Sequence, residues 1–278
     1  MSKYEKLIHA AISEDIGEGD HTSMACIPPE AEGKAELIAK EAGILAGVSV
    51  AVKVFELMDK ELTVNVLKLD GETIVPHEVV MNISGNARSI LMAERIALNY
   101  MQRMSGIATS TNKMVQLLKG TSTKILDTRK TTPNNRIFEK EAVRIGGGIN
   151  HRFGLYDLIM IKDNHIDYAG GIAEAIYRAK EYVKSNGLEI EIEIEARNLA
   201  ELKEILAAPT VERIMLDNFS FENLRQAVTL INGRSITEAS GGIDEHTIRQ
   251  YANCGVDYIS VGALTHQIKS LDLSLKAV

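Results

Sequence analysis

The chain has 278 residues, 45% hydrophobic and 25% charged, the make-up of a folded globular protein and not of a disordered one. A net charge of −7 argues against nucleic acid or an anionic membrane as partner, since both call for a broad basic surface. Cys26 and Cys254 stand far apart without metal-ligand spacing, the N-terminus lacks a charged-then-apolar leader, and no apolar run approaches the ~20 residues that span a bilayer. A soluble, unprocessed protein of a reducing cytoplasm is expected, without a disulfide framework or a zinc site.

In the first hundred residues, KYEKLIHAAI, GKAELIAKEAGILAG, VSVAVKVFELM, LTVNVLKLDGETI and EVVMNISG do not alternate regularly, and Gly43, Gly47, Gly71 and Pro76 divide them. This predicts an α+β domain over residues 1–105. A helical stretch from Ile90 to Leu118, interrupted near Ser105-Gly106, joins it to a second domain over 106–278, and the C-terminal tail is expected to be able to pack back on the first. From residue 124, short β-branched runs alternate with amphipathic ones. The predicted strands are KILDT (124–128), DLIMI (157–161), LEIEIEIEA (188–196), RIMLD (213–217), SITEAS (235–240) and DYISVG (257–262). Between the later strands, Asn198, Ser220 and Asp244 are predicted N-caps, and Gly187, Gly233 and Gly255 mark helix ends. Six repeated units of this kind imply parallel strands and a closed or nearly closed α/β barrel. In LEIEIEIEA the isoleucines share one face and the glutamates the other; packed between barrel helices, the acidic face lines the barrel and Glu195 reaches its C-terminal mouth.

Arg129, Lys130, Arg136, Lys140, Arg144, Arg152 and Lys162 crowd into residues 127–165 of an acidic chain. Arg129 and Lys130 follow one predicted strand and Lys162 closes another, and strand ends are where parallel α/β folds bind ligands. Together with Asn150-His151-Arg152 and Asn164-His165 they point to a small anion, since arginine matches a planar carboxylate or phosphate and lysine adds a mobile charge. Gly146-Gly147-Gly148 is either a flexible turn or a place where backbone amides approach an anion, and the donors after it favour the latter. Ser240-Gly241-Gly242 and Gly262-Ala263-Leu264 end the last two strands, where barrels commonly bind phosphate. Glu195 and Asp217 either hold the cations in place or bind Mg²⁺ or sugar hydroxyls. Arg95 by itself is a helix-surface residue beside Glu94. His151 suits binding better than proton transfer. Asp20-His21-Thr22-Ser23 suits a cap or turn, with no catalytic role.

The runs DTRKTTP, GGGINHRFGLYD, IKDNH, MLDNFS, EASGGI and GVDYISVGALTH, preceded by EDIGEGDHTS and ERIALNYMQRMSGIAT, strongly resemble the quinolinate phosphoribosyltransferases, in order along most of the chain. The resemblance implies an N-terminal α+β sandwich-like domain and a C-terminal open or irregular α/β barrel of the type II phosphoribosyltransferase kind. It also implies a homodimer, or a higher homo-oligomer, with a shared active site. The implied reaction joins quinolinate to 5-phosphoribosyl 1-pyrophosphate, giving nicotinate mononucleotide, pyrophosphate and CO2 in NAD biosynthesis, with Mg²⁺ as cofactor. By the resemblance, Arg129, Lys130, His151, Arg152 and Lys162 hold the two carboxylates and Arg95 comes from the partner subunit. Glu195 and Asp217 face the ribose and the magnesium-pyrophosphate unit, directly or through substrate and water; with Lys130 they form the expected catalytic set. Ser240, Gly241 and Gly262 cradle the 5-phosphate.

Two departures stand out. Asn134-Asn135 replaces the usual glycine and apolar residue, and asparagine tolerates the left-handed backbone. Ala196-Arg197 follows Glu195, and Arg197 is expected to point away from the mouth because Glu195 holds the inward position. Rival readings are a relative of the same fold acting on another acid, as in the molybdenum-operon relatives, and a non-catalytic phosphometabolite-binding barrel. The full cation set argues against the first, and both acids beside it argue against the second.

Overall fold

In Glu32–Ala39, Ala35, Leu37 and Ala39 are buried and their neighbours are not, the two-residue period of a strand covered on one face. The computed structural model describes residues 2–278. The chain begins with α1 (Lys3–Ile16), α2 (His21–Cys26), β1 (Glu32–Ala39), β2 (Gly43–Ile44), α3 (Val48–Met58), β3 (Thr63–Val66), β4 (Thr73–Ile74) and β5 (Val79–Asn86). Ser2 and Glu5 close a capping box on α1, and Asp20 caps α2 through its side chain. Then follow α4 (Ala87–Leu117), β6 (Lys124–Leu126), α5 (Arg136–Ile145), β7 (Ile159–Ile161), α6 (Asp163–Ala169), α7 (Ile172–Ser185) and β8 (Ile192–Ala196). The remaining elements are α8 (Leu199–Ala207), β9 (Arg213–Asp217), α9 (Phe221–Ile231), β10 (Ile236–Ser240), α10 (Ile248–Ala252), β11 (Tyr258–Ser260), α11 (Ala263–His266) and β12 (Leu273–Ala277).

Contacts divide the chain into two compact units. One comprises Met1–Asn112, Thr131–Gly147 and Leu264–Val278; the other comprises Lys113–Lys130 and Gly148–Ala263. The first unit contains a four-stranded sheet in the order β12-β1-β5-β3, whose C-terminal strand β12 pairs antiparallel with β1. Its core includes Leu37, Phe55, Met81 and Ile83, all but fully buried. Helix α4 runs unbroken for 31 residues, without the interruption predicted near Ser105-Gly106. Ser105 Oγ accepts from Ala46 N at 2.9 Å and donates to Ala46 O at 3.1 Å, and a Cβ on Gly106 would lie 2.3 Å from the Lys269 carbonyl oxygen. Small residues stand there because other backbone passes close to the helix.

The second unit is built on six parallel strands in the order β6-β11-β10-β9-β8-β7. Among the described residues β7 and β6 do not pair; beyond β6 there is only a single bridge between Leu126 and Ile149, so the wall stays open. Strand β9 matches its predicted span, whereas β8 starts at Ile192 and not at Leu188. The earlier Glu191 is exposed and turns to Arg213 at 3.1 Å. Asn198 and Ser220 cap α8 and α9 as predicted. Asp244 instead accepts from His246 N and Thr247 N in a turn, which shortens the helix after it to Ile248–Ala252. No helix among the described residues is long and apolar enough to cross a membrane.

Candidate active site

Parallel strands in register deliver their C-terminal ends to one rim. Ile161 pairs with Ile194, so the next residues on β7 and β8, Lys162 and Glu195, become neighbours; Lys162 Nζ lies 2.7 Å from Glu195 Oε2. On the adjoining strands Asp217 pairs with Ser240. Asp217 Oδ2 accepts from Asn218 Nδ2 at 2.6 Å, and Asn218 N donates to Ser240 O at 2.9 Å. Gly241 has φ +109°, and a Cβ there would lie 2.2 Å from Asn218 Oδ1, so both conformation and space require glycine. Gly262 follows β11, and Arg129 and Lys130 follow β6, the arginine half-buried and the lysine exposed. The second unit thus carries every site residue expected from sequence except Arg95, at its strand ends or, for His151 and Arg152, in the segment between Ile149 and β7; Arg95 is exposed on α4 in the first unit.

The segment bearing His151 and Arg152 is tied down by Asp127, fully buried just past β6. Its Oδ1 accepts from His151 N and its Oδ2 from Asn150 Nδ2, both at 2.8 Å. Asp157 holds the following turn by accepting from Phe153 N and Gly154 N. The Arg152 guanidinium donates to Leu158 O at 3.2 Å. Burial and then the neighbouring Arg129 both pull that guanidinium below its ordinary value. Two arginines set together against their own repulsion are a place for an anionic ligand.

Beneath the rim, the His151 ring Nε2 lies 3.0 Å from Glu193 Oε2 and 3.3 Å from Glu238 Oε2, with both carboxylates fully buried. Burial raises the Glu193 carboxyl to about 6, reinforced by Glu238. For the imidazole, burial favours the neutral form while the two carboxylates favour the charged one and pull it up to about 9. Against that field, Nδ1 accepts from Arg152 N at 2.7 Å. An imidazolium would set two N–H groups against each other at that distance, so the hydrogen bond decides: the ring is neutral, Nδ1 bare and the proton on Nε2. These three side chains are of metal-ligand type and close enough to share an ion. The proton on Nε2 leaves the imidazole no lone pair on that side, so the cluster does not fit a metal.

Several residues read from sequence stand elsewhere. Arg136, Lys140 and Arg144 lie on α5 in the first unit, where Lys140 is buried and Arg144 pairs with Glu141. Gly146 is a packing residue and not part of an anion loop: a Cβ would lie 2.5 Å from the Ala108 carbonyl oxygen of α4. Arg197 lies just past the end of β8, where strand alternation no longer sets its direction, and pairs with Glu201 on α8, its Nη2 2.6 Å from the carboxylate. Asn134 adopts φ +64°, the left-handed conformation asparagine tolerates. A hollow of about 340 Å³ beside β7 touches Arg152 but neither Lys162 nor Glu195, and is not the rim. Sequence reasoning assigned no role to Asp127, Glu193 or Glu238. The available signal was parity, since Glu193 shares a face with Glu195 and Glu238 with Ser240.

Models of the quinolinate phosphoribosyl transferase N-terminal and C-terminal domains match residues 20–105 and 107–276. The chain is 47% identical over 285 residues to the chloroplastic nicotinate-nucleotide pyrophosphorylase [carboxylating] of Arabidopsis thaliana, covering 97% of this chain and 81% of the relative. It is 44% identical to the probable nicotinate-nucleotide pyrophosphorylase [carboxylating] of Bacillus subtilis, covering 98% and 92% of the two chains. The structure of the nicotinate-nucleotide pyrophosphorylase from Francisella tularensis superposes with a TM-score of 0.93 at 42% identity, over 99% of this chain and 96% of that one. With both domain models matched in order, the chain belongs to the quinolinate phosphoribosyltransferase family.

Proposed function

We infer that this chain transfers the phosphoribosyl group of 5-phosphoribosyl 1-pyrophosphate to quinolinate with loss of CO2, forming nicotinate mononucleotide and pyrophosphate for NAD biosynthesis. The observation that carries this reading is the set of Arg129, Lys130 and Lys162 after strands β6 and β7, with Arg152 in the segment before β7, in the unit whose strand ends also bear Glu195 and Asp217. Four cations suit an aromatic dicarboxylate, with arginine forks on the planar groups. His151 belongs to the set by position, while its ring nitrogens face Glu193, Glu238 and the Arg152 amide. Ser240, Gly241 and Gly262 hold the 5-phosphate, where glycine lets the backbone come close.

The pyridine nitrogen attacks the anomeric carbon as pyrophosphate departs, so positive charge builds on the ribose. Glu195 and Asp217 lie on the acidic side of the rim, where they stabilise that charge and orient the sugar. Lys162, held by Glu195, and Lys130 balance the charge of the carboxylates and of the leaving group. The positive nitrogen of the pyridinium stabilises the carbanion that CO2 leaves at C2, and that carbon then takes a proton from solvent to give nicotinate mononucleotide, so no protein nucleophile is needed. Glu195 and Asp217 also fit Mg²⁺: both are hard oxygen donors at adjacent strand ends, and one or two carboxylates are its usual protein share. When bound there, Mg²⁺ neutralises pyrophosphate charge.

The assembly we propose is a homodimer in which Arg95, exposed on α4, completes the partner's site. A cytoplasmic location is supported by two free cysteines. The test is product formation followed by mass, with quinolinate or nicotinate as acceptor. Nicotinate mononucleotide from quinolinate alone supports the reading; equal use of nicotinate would mean that the site reads one carboxylate and would overturn it.

A further inference from the structure

Glu193 and Glu238 stand out because burying two carboxylates side by side is costly to a folded barrel. Both are fully buried, and none of their oxygens makes a hydrogen bond of good geometry. Two such carboxylates side by side are unfavourable, and well-packed apolar side chains would hold the interior at least as well. The short contact they share is His151 Nε2, at 3.0 and 3.3 Å.

We propose that Glu193 and Glu238 are positioning residues for the dicarboxylate pocket. They share the Nε2–H of His151, which leaves Nδ1 bare to hold the Arg152 amide and so aims the guanidinium at a quinolinate carboxylate. The proposal rests on the assignment of Arg152 to that carboxylate. The parts form a continuous chain: Asp127 fixes the His151 amide, the His151 ring fixes the Arg152 amide, and Leu158 O accepts from the Arg152 guanidinium. The angle of the ring, set from beneath by the two acids, is the adjustable element. A plain electrostatic role has the opposite sign, since removing a buried negative charge would tighten the binding of an anion.

The experiment compares wild type with Glu238→Met, which keeps length and removes the acceptor. Binding of quinolinate and of 5-phosphoribosyl 1-pyrophosphate is measured calorimetrically, together with Tm. The quinolinate Kd is expected to rise about tenfold or more, the scale of a misplaced contact, while the donor Kd moves less than about twofold. Tm should hold or rise, because a repelling buried charge is gone; a residue kept only for structure would lower it. Glu193→Gln should move quinolinate binding in the same direction. Nitrogen NMR of the wild-type imidazoles should show His151 protonated on Nε2 alone.

Unchanged or tighter quinolinate binding in a folded variant overturns the proposal, as does equal weakening of both ligands or a proton on Nδ1. If Glu238→Met does not fold, Glu193→Gln and the wild-type spectrum decide. Wild-type protein that binds the donor but not quinolinate would sink the pocket assignment and this proposal together. Tight wild-type binding that Glu238→Met leaves intact would sink the positioning role alone.

Discussion

Strands β1 and β8 both alternate in sequence, yet their polar faces meet different surroundings. In β1 the apolar set Ala35, Leu37 and Ala39 is buried and the polar neighbours are at least partly solvated. In β8 all five residues are buried, Glu193 and Glu195 among them. A half-covered antiparallel sheet lets charge stay in water; a parallel barrel covers the outer face with helices and closes the inner one on itself. The carboxylates of β8 therefore come at a cost in stability, and the roles proposed above for Glu195 and Glu193 are the reason we offer for their presence.

Four changes sharpen or break that contrast. The largest effect is expected for Glu195→Ala, with kcat/KM falling about a thousandfold, or ~4 kcal/mol of transition-state stabilisation, while Tm changes little. Steady-state rates and a melting curve check it, and a large loss of Tm with a small loss of rate would reverse the contrast. Leu37→Ala, on the fully buried face of β1, should cost about 3 kcal/mol of stability by denaturant titration and leave both KM values in place.

Next, mixing Arg95→Ala chains with Lys130→Ala chains should return about half of the wild-type rate per heterodimer, because one of two shared sites is intact. Verified heterodimers that stay inactive would place Arg95 outside the site. The smallest effect belongs to Arg197→Ala, which removes an exposed pair with Glu201. Less than about 0.5 kcal/mol of stability and no change in the donor KM are expected.

Much of this was legible from residues alone. RIMLD gave β9 at its full length because polar and turn residues bound it on both sides, and caps such as Asn198 and Ser220 mark helix starts through a local bond. What needed the third dimension was contact between distant segments. Gly106 and Gly146 look like breaks in a linear pattern, and only the Lys269 and Ala108 carbonyls beside them explain the missing side chains. Glu238 was hidden for a related reason: parity put it on the inner face with Ser240, but nothing local showed that His151, 87 residues earlier by number, would meet it there. The cluster of seven cations likewise resolved into two groups in different units, because sequence proximity does not record which strand or helix carries a charge.

The most direct test of the account is the stoichiometry of CO2 and pyrophosphate released when the wild-type protein is given carboxyl-labelled quinolinate, 5-phosphoribosyl 1-pyrophosphate and Mg²⁺. The account predicts one CO2 and one pyrophosphate for each nicotinate mononucleotide, and no release when either substrate is omitted. Folded protein that binds the phosphoribosyl donor yet releases no CO2 from quinolinate would contradict it.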